Sequence, residues 1–268
     1  MNGAMKDLKP AARTAAIEPA FSRAEVRSES PASDKTWSRA KPDDHLISLL
    51  SPASMEAEQY RTLGLMLEQR RQTGHLQVIA ISSPTMGDGK TMTSINLAGA
   101  IAQSPAARVL LIDVDFRKPS IATQLGMKDN VLGFRDAVVN PALSLKDVVR
   151  RHPAWNLSLV MAGRAQVMPH EIFKSGRFVE LLDEARREYE WIILDTAPLV
   201  LAPDCLMIGK CVDGFVMVVC ANKTSRPELG EALNILGPSK LVGLVFNSDD
   251  RLLTSYKYGP YCLPSQTT

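Results

Sequence analysis

The sequence predicts a three-layer α/β/α domain built around a mainly parallel sheet. Three observations predict it. Nearly unbroken apolar runs of strand length recur along the chain, as strands buried on both faces require. Segments with apolar residues at helical spacing separate those runs. The right-handed rule for crossovers then places helices on both faces of one sheet.

The elements follow in order. Residues 1–45 are rich in Ala, Ser, Pro and mixed charge without apolar periodicity, and read as a disordered leader. Order is expected to begin between His45 and Leu50. A helix starts behind Ser54, a natural N-cap, with Glu56 and Glu58 at its positive end. Ala57, Tyr60 and Leu67 share one face, and Thr73-Gly74 ends it. Leu76 to Ile81 is the first strand and Lys90 to Ala102 the next helix. Strands follow at Arg108 to Ile112 and Leu157 to Met161. Arg177 to Glu188 is a helix with Phe178, Leu181, Leu182 and Ala185 on its apolar side. Strands at Trp191 to Leu194, Gly214 to Cys220 and Leu241 to Phe246 complete the sheet, with a helix at Pro227 to Leu236 between the last two. The domain is bounded at 46–250, and 251–268 is a flexible tail.

Bulk properties narrow the function classes. The 268 residues suffice for one such domain with tails. Basic and acidic residues nearly balance, 31 against 29, so neither nucleic acid nor a membrane surface attracts the chain by net charge. Cys205, Cys211, Cys220 and Cys262 form no C-x-x-C pair. They read as three buried thiols and one in the tail, in a reducing compartment. The first 20 residues contain no signal-peptide core, and no apolar run reaches membrane-spanning length.

The junction of the first strand and its helix carries the strongest chemical signal. Ser82-Ser-Pro-Thr-Met-Gly-Asp-Gly-Lys-Thr91 is a Walker A phosphate loop in its required strand–loop–helix setting. Gly87 and Gly89 let the backbone turn its N–H groups onto phosphate, and the helix N-terminus adds partial positive charge. Lys90 reaches the β- and γ-phosphates, and the Thr91 hydroxyl binds Mg²⁺. Asp88 and Met92 complete the nucleotide-binding stretch around them. Pro84 stands where the common motif has its first glycine.

Two further strands end in acids. Asp113 and Asp115 stand two apart after the Arg108 strand, spaced to face one side of a strand extended through them. Paired carboxylates at the carboxyl edge of such a sheet suit Mg²⁺ and an acceptor hydroxyl. Alone, the pair reads better as loop acids beside Arg117 and Lys118. Asp195, ending Trp191-Ile-Ile-Leu-Asp195, looks like a Walker B acid that holds Mg²⁺ through its water shell. It is the convergence of three strand ends on one edge that makes a nucleotide site. Asn247, after the last strand, reads either as an amide for an adenine edge or as a turn residue bonding its own backbone.

These motifs, in this order over residues 46–262, resemble the bacterial tyrosine autokinases of capsular and exopolysaccharide export. That family carries a P-loop, then apolar residues followed by D-x-D-x-R, then apolar residues followed by D-x-x-P. Here these are Pro84 to Thr91, Asp113 to Arg117 and Asp195 to Pro198. The fold implied is that of P-loop NTPases with MinD/ParA-like architecture. The cofactors implied are ATP and Mg²⁺. Lys90 and Thr91 would hold phosphate and metal, Asp113 would orient or deprotonate the attacking hydroxyl, and Asp115 and Asp195 would support Mg²⁺. Arg117 would stabilise the site or its subunit contacts.

The resemblance also implies substrates and partners. Tyr256, Tyr258 and Tyr261 supply three of the five tyrosines and fall where the family keeps its phosphoacceptor cluster. The alternative is an aromatic tail packed on the domain, and Tyr60 and Tyr189 are then the remaining acceptors. Transfer in trans within a ring is implied, with added phosphates loosening it. The family's oligomerising E-x-x-R-x-x-R is Glu58, Arg61 and Gly64 here, so a homo-oligomeric ring lacks its last arginine. Glu58 and Arg61 can still pair between subunits, or form a solvated helix face. A membrane-embedded polysaccharide co-polymerase and a cognate tyrosine phosphatase are the implied partners. A cytoplasmic protein recruited to the inner membrane face is the implied location.

Two other functions share these motifs. One is an ATPase switch of the MinD/ParA type, which carries an extra lysine where this chain has Thr85. The other is a nucleotide-sensing regulator of polysaccharide export without kinase activity.

Overall fold

The computed structural model describes residues 41–127 and 130–248. The expected leader, apart from 41–45, and the tyrosine tail lie outside that range. Two helices come first, α1 (Ile47–Leu50) and α2 (Met55–Thr73). Then come β1 (Val78–Ser82), α3 (Lys90–Ile101), β2 (Val109–Asp113), α4 (Ile121–Gln124), α5 (Phe134–Val139) and α6 (Leu145–Val148). The short strands β3 (Arg150–Arg151) and β4 (Ser158–Val160) precede α7 (Pro169–Lys174), α8 (Gly176–Glu188) and β5 (Trp191–Asp195). After a 3-10 segment at Pro203–Lys210 follow β6 (Gly214–Cys220), α9 (Arg226–Leu236) and β7 (Leu241–Asn247).

The sheet order is β3-β4-β2-β5-β1-β6-β7, and each neighbouring pair is parallel except β3 with β4. Side-chain alternation along the strands separates two cores. Val78, Ala80, Leu110, Ile112, Ile192 and Leu194 face one core with α5, α6, α7, α8 and the inner side of α9. Ile79, Ile81, Leu111, Ile193, Val216 and Val218 face the other with α2, α3 and α4. This is the three-layer arrangement the sequence predicts.

Local chemistry sets the element ends. The Ser54 Oγ accepts from the Ala57 N–H, and Ser225 with Glu228 forms a reciprocal capping box at α9. Gly89, at φ 95°, makes the left-handed turn into α3 that a residue with Cβ resists. Differences from the sequence reading lie away from the apolar runs. Helices α5, α6 and α7 and strand β3 are too short to show a period. Strand β7 is an edge strand, with Phe246 62% exposed, rather than a strand covered on both faces. Cys220 is buried as expected, whereas Cys211 is only partly so.

Candidate active site

β1, β2 and β5 are adjacent in the sheet, and their carboxyl ends meet at the start of α3. Lys90 and Thr91 open that helix, so the fold itself carries them to Asp195 and the 113–120 loop. Lys90 Nζ lies 2.7 Å from Asp115 Oδ2 and 3.9 Å from Asp195 Oδ2. Thr91 Oγ1 donates to Asp195 Oδ2 at 2.7 Å, and Ser94 Oγ to Asp195 Oδ1 at 3.1 Å. Ser120 Oγ donates to Thr91 Oγ1 at 3.1 Å. Ser94 and Ser120 were not singled out in the sequence. Ser94 was findable, standing one helical turn after Lys90 on the same face.

The electrostatics follow from burial. Burial pulls the Lys90 ammonium down, but the carboxylates of Asp195 and Asp115 outweigh it and leave the pKa raised. Lys90 therefore stays charged at neutral pH. Burial, with the negative charge of Asp195 added, lifts the Asp113 carboxyl to about 8. Burial raises Asp195 as well, against the pull of Lys90 and Thr91.

Asp113 departs from its expected placement. Both carboxylates of the D-x-D pair were expected to face the cleft. Strand β2 ends at Asp113, so the two-residue alternation does not extend to Asp115. The Asp113 carboxylate is 1% exposed and accepts three backbone N–H groups, from Asp115, Ser120 and Ile121. It shapes the loop that presents Asp115, which does line the cleft.

The cleft encloses 390 Å³. Gly87, Gly89, Lys90, Thr91 and Met92 form one wall, Arg117, Lys118 and Ser120 another, and Pro198 and Leu201 an apolar third. Asp88 does not present its carboxylate there. It is fully buried and accepts from the Thr85 N–H and hydroxyl, with Lys223 Nζ at 3.4 Å. Asn247 Nδ2 donates to the Asp88 carbonyl at 3.0 Å rather than to its own backbone.

The oxygen donors fit Mg²⁺. The Thr91 and Ser120 hydroxyls and the Asp195 and Asp115 carboxylates are hard ligands gathered at one strand edge. Among the described residues no group of three or more His, Cys, Asp or Glu forms a metal cage.

A larger groove of 600 Å³ lies between α2 and α3, lined in part by Glu58, Arg61, Gly64 and Ile101. Arg61 pairs with Glu58 of the same helix and donates to the Pro52 carbonyl, so both residues are engaged within the chain. The expected acceptors Tyr256, Tyr258 and Tyr261 lie outside the described residues.

Comparison with known proteins adds to this geometry. Residues 76–212 match the AAA domain family. The tyrosine-protein kinase YwqD of Bacillus subtilis (strain 168) is 31% identical over 219 residues, 81% of this chain and 91% of YwqD. The putative tyrosine-protein kinase EpsB of Ralstonia nicotianae is 29% identical over 82% of this chain but only 29% of its own length. Among solved structures, the VpsO kinase domain superposes with a TM-score of 0.65 at 29% identity, over 73% of this chain and 97% of that domain.

Proposed function

Because this chain belongs to the bacterial tyrosine-protein kinases, we propose that it transfers the γ-phosphate of ATP to tyrosines in the tail of another copy, and so regulates polysaccharide polymerisation and export. The observation that carries this reading is the cluster of Lys90, Thr91, Asp115 and Asp195 at one strand edge. Phosphoryl transfer asks mainly for positioning and charge neutralisation, and this cluster supplies both.

Lys90 leaves Asp115 to engage the β- and γ-phosphates, which exchanges one ion pair for another without exposing the ammonium. Thr91 and Asp195, with Asp115, would hold Mg²⁺, which offsets phosphate charge when bound. The acceptor hydroxyl bonds to the γ-phosphorus as the bond from that phosphorus to the β,γ-bridging oxygen breaks, and ADP departs. The hydroxyl proton passes to the Asp113–Asp115 pair. Asp115 has access to the cleft, and Asp113, buried behind it, accepts the Asp115 N–H and so orients it. Arg117, on the cleft wall, adds positive charge beside the transferring group.

The acceptors we propose are Tyr256, Tyr258 and Tyr261. Tyr60 and Tyr189 are poor alternatives. Tyr189 is 9% exposed, and Tyr60 is partly buried, with its hydroxyl by Thr93 and Asn96. Among the described residues no helix is long and apolar enough to cross a membrane. Recruitment by a membrane-embedded co-polymerase, reversal by a phosphatase and ring assembly through α2 complete the proposal. Gly64 weakens that ring, since the family arginine is absent.

The test is the purified full chain with Mg-ATP, probed for phosphotyrosine with and without the cytoplasmic fragment of a co-polymerase. Signal that disappears when Tyr256, Tyr258 and Tyr261 are replaced by Phe is the expected result. ATP binding with no phosphotyrosine, even with the fragment, overturns the kinase mechanism in favour of a nucleotide sensor.

A further inference from the structure

Two side chains reach the phosphate loop from the opposite end of the sequence. Lys223, just beyond β6, donates to the Met86 carbonyl at 2.5 Å. Asn247, the last residue of β7, donates to the Asp88 carbonyl at 3.0 Å. The contacts span 137 and 159 residues of sequence. Both are close enough to exclude a side chain on the loop: a Cβ on Gly87 would meet Lys223 Nζ at 2.8 Å, and one on Gly89 would meet Asn247 Nδ2 at 1.9 Å.

No peptide bond in the described residues is cis. In a planar trans peptide the C=O of one residue and the N–H of the next point in opposite directions. Holding the Met86 carbonyl outward therefore turns the Gly87 N–H the other way, and holding the Asp88 carbonyl does the same for the Gly89 N–H. Gly87 and Gly89 are the loop glycines that line the cleft. Both have positive φ, 75° and 95°, a conformation with little intrinsic preference for one peptide orientation over its flip.

We infer that Lys223 and Asn247 are positioning residues that set the two N–H groups of the phosphate cradle before nucleotide arrives. Neither residue touches phosphate. Each fixes one peptide plane, so ATP binds without first ordering the loop. Lys223 also offsets the buried Asp88 carboxylate, whose charge would otherwise sit directly behind the triphosphate. The inference rests on the nucleotide reading of the cleft.

The experiment measures binding of AMP-PNP with Mg²⁺ by calorimetry, using the full chain. Lys223→Met keeps the length of the side chain without its donor, and Asn247→Leu keeps the approximate shape. Each is expected to weaken binding by about tenfold, the scale of one hydrogen bond lost at a partly exposed site. Melting temperatures without nucleotide fall by no more than a few degrees, less than the affinity loss corresponds to, and Lys223→Arg recovers most of the affinity. In turnover, KM for ATP rises while kcat changes by no more than about threefold, the signature of lost uniform binding. The Lys223→Met defect persists at about 0.5 M salt, where a long-range charge effect is screened. Binding within twofold of wild type, a defect that vanishes in high salt, or a fall in nucleotide-free stability matching the affinity loss overturns the inference. Failure of the wild-type chain to bind AMP-PNP at all overturns the nucleotide reading, and this inference with it.

Discussion

Lys90 is 9% exposed and already ion-paired without nucleotide, so its substitution acts on two properties at once. Lys90→Met is expected to abolish measurable ATP binding and also to leave Asp115 without its cation. Asp113→Asn separates binding from transfer. The carboxylate touches no residue of the phosphate loop in the hydrogen-bond network, so ATP affinity should stay within about threefold, while transfer is lost and the melting temperature falls. The fall follows because an amide presents its own N–H₂ to backbone donors that need an acceptor, at about 1–3 kcal/mol. Calorimetry, a phosphotyrosine blot and a thermal melt on the same preparation check all three. Normal transfer by Asp113→Asn would remove it from the proton-accepting pair and leave Asp115 alone. At this scale the sequence was informative where short motifs bring polar side chains together at one strand edge, as at Lys90, Thr91 and Asp195. It gave no sign of the loop contacts that Asn247 and Lys223 make, because their partners are backbone carbonyls that carry no residue identity.

Among the elements, α5 is joined to the segment just after β4 by backbone hydrogen bonds as well as by its buried Phe134, Ala137 and Val138. The Phe134 and Arg135 N–H groups donate to the Met161 and Ala162 carbonyls at 2.8 and 3.0 Å. The Asp136 carboxylate closes the junction by accepting from Gly133, Arg164 and Ala165. A Cβ at Gly133 would lie 2.2 Å from the Met161 carbonyl oxygen and 2.5 Å from the Gly163 nitrogen. Neither backbone atom can rotate away as a side chain would. Gly133→Ala is therefore expected to cost about 3 kcal/mol or more, seen as a lower urea midpoint. An unchanged midpoint would mean that the two segments separate at little cost. Helices of six residues or fewer show no usable period, so α5 and α7 could not be read from the sequence. The long apolar runs could be, because burial on both faces leaves few polar positions.

Across the whole molecule, Asp213 ties the end of the sheet away from the active site. Its carboxylate accepts from the Gln77 and Val78 N–H groups, each at 2.7 Å, and pairs with Arg186 of α8 at 2.7 Å. Burial pushes this carboxyl up, but the Arg186 guanidinium and the two N–H groups pull it further down, so it lies below its ordinary value of 3.8. The folded state thus binds the proton less readily than the unfolded chain. Its contribution is complete above the ordinary carboxylate pKa and is lost as the pH falls through the lowered folded value. Asp213→Asn should cost about 2 kcal/mol near neutral pH, and the gap to wild type should narrow as the pH falls below the ordinary carboxylate value of 3.8. A gap that is constant with pH would show that the charge of Asp213 is not what stabilises the junction. The sequence by itself determined the layered parallel sheet, the phosphate loop and the family, because apolar periodicity and short motifs are local and survive without coordinates. Only the tertiary structure decided that Lys223 and Asn247 reach the Met86 and Asp88 carbonyls of the phosphate loop. Those outcomes depend on which distant backbone groups chain packing brings within hydrogen-bond range, and no spacing along the sequence records that.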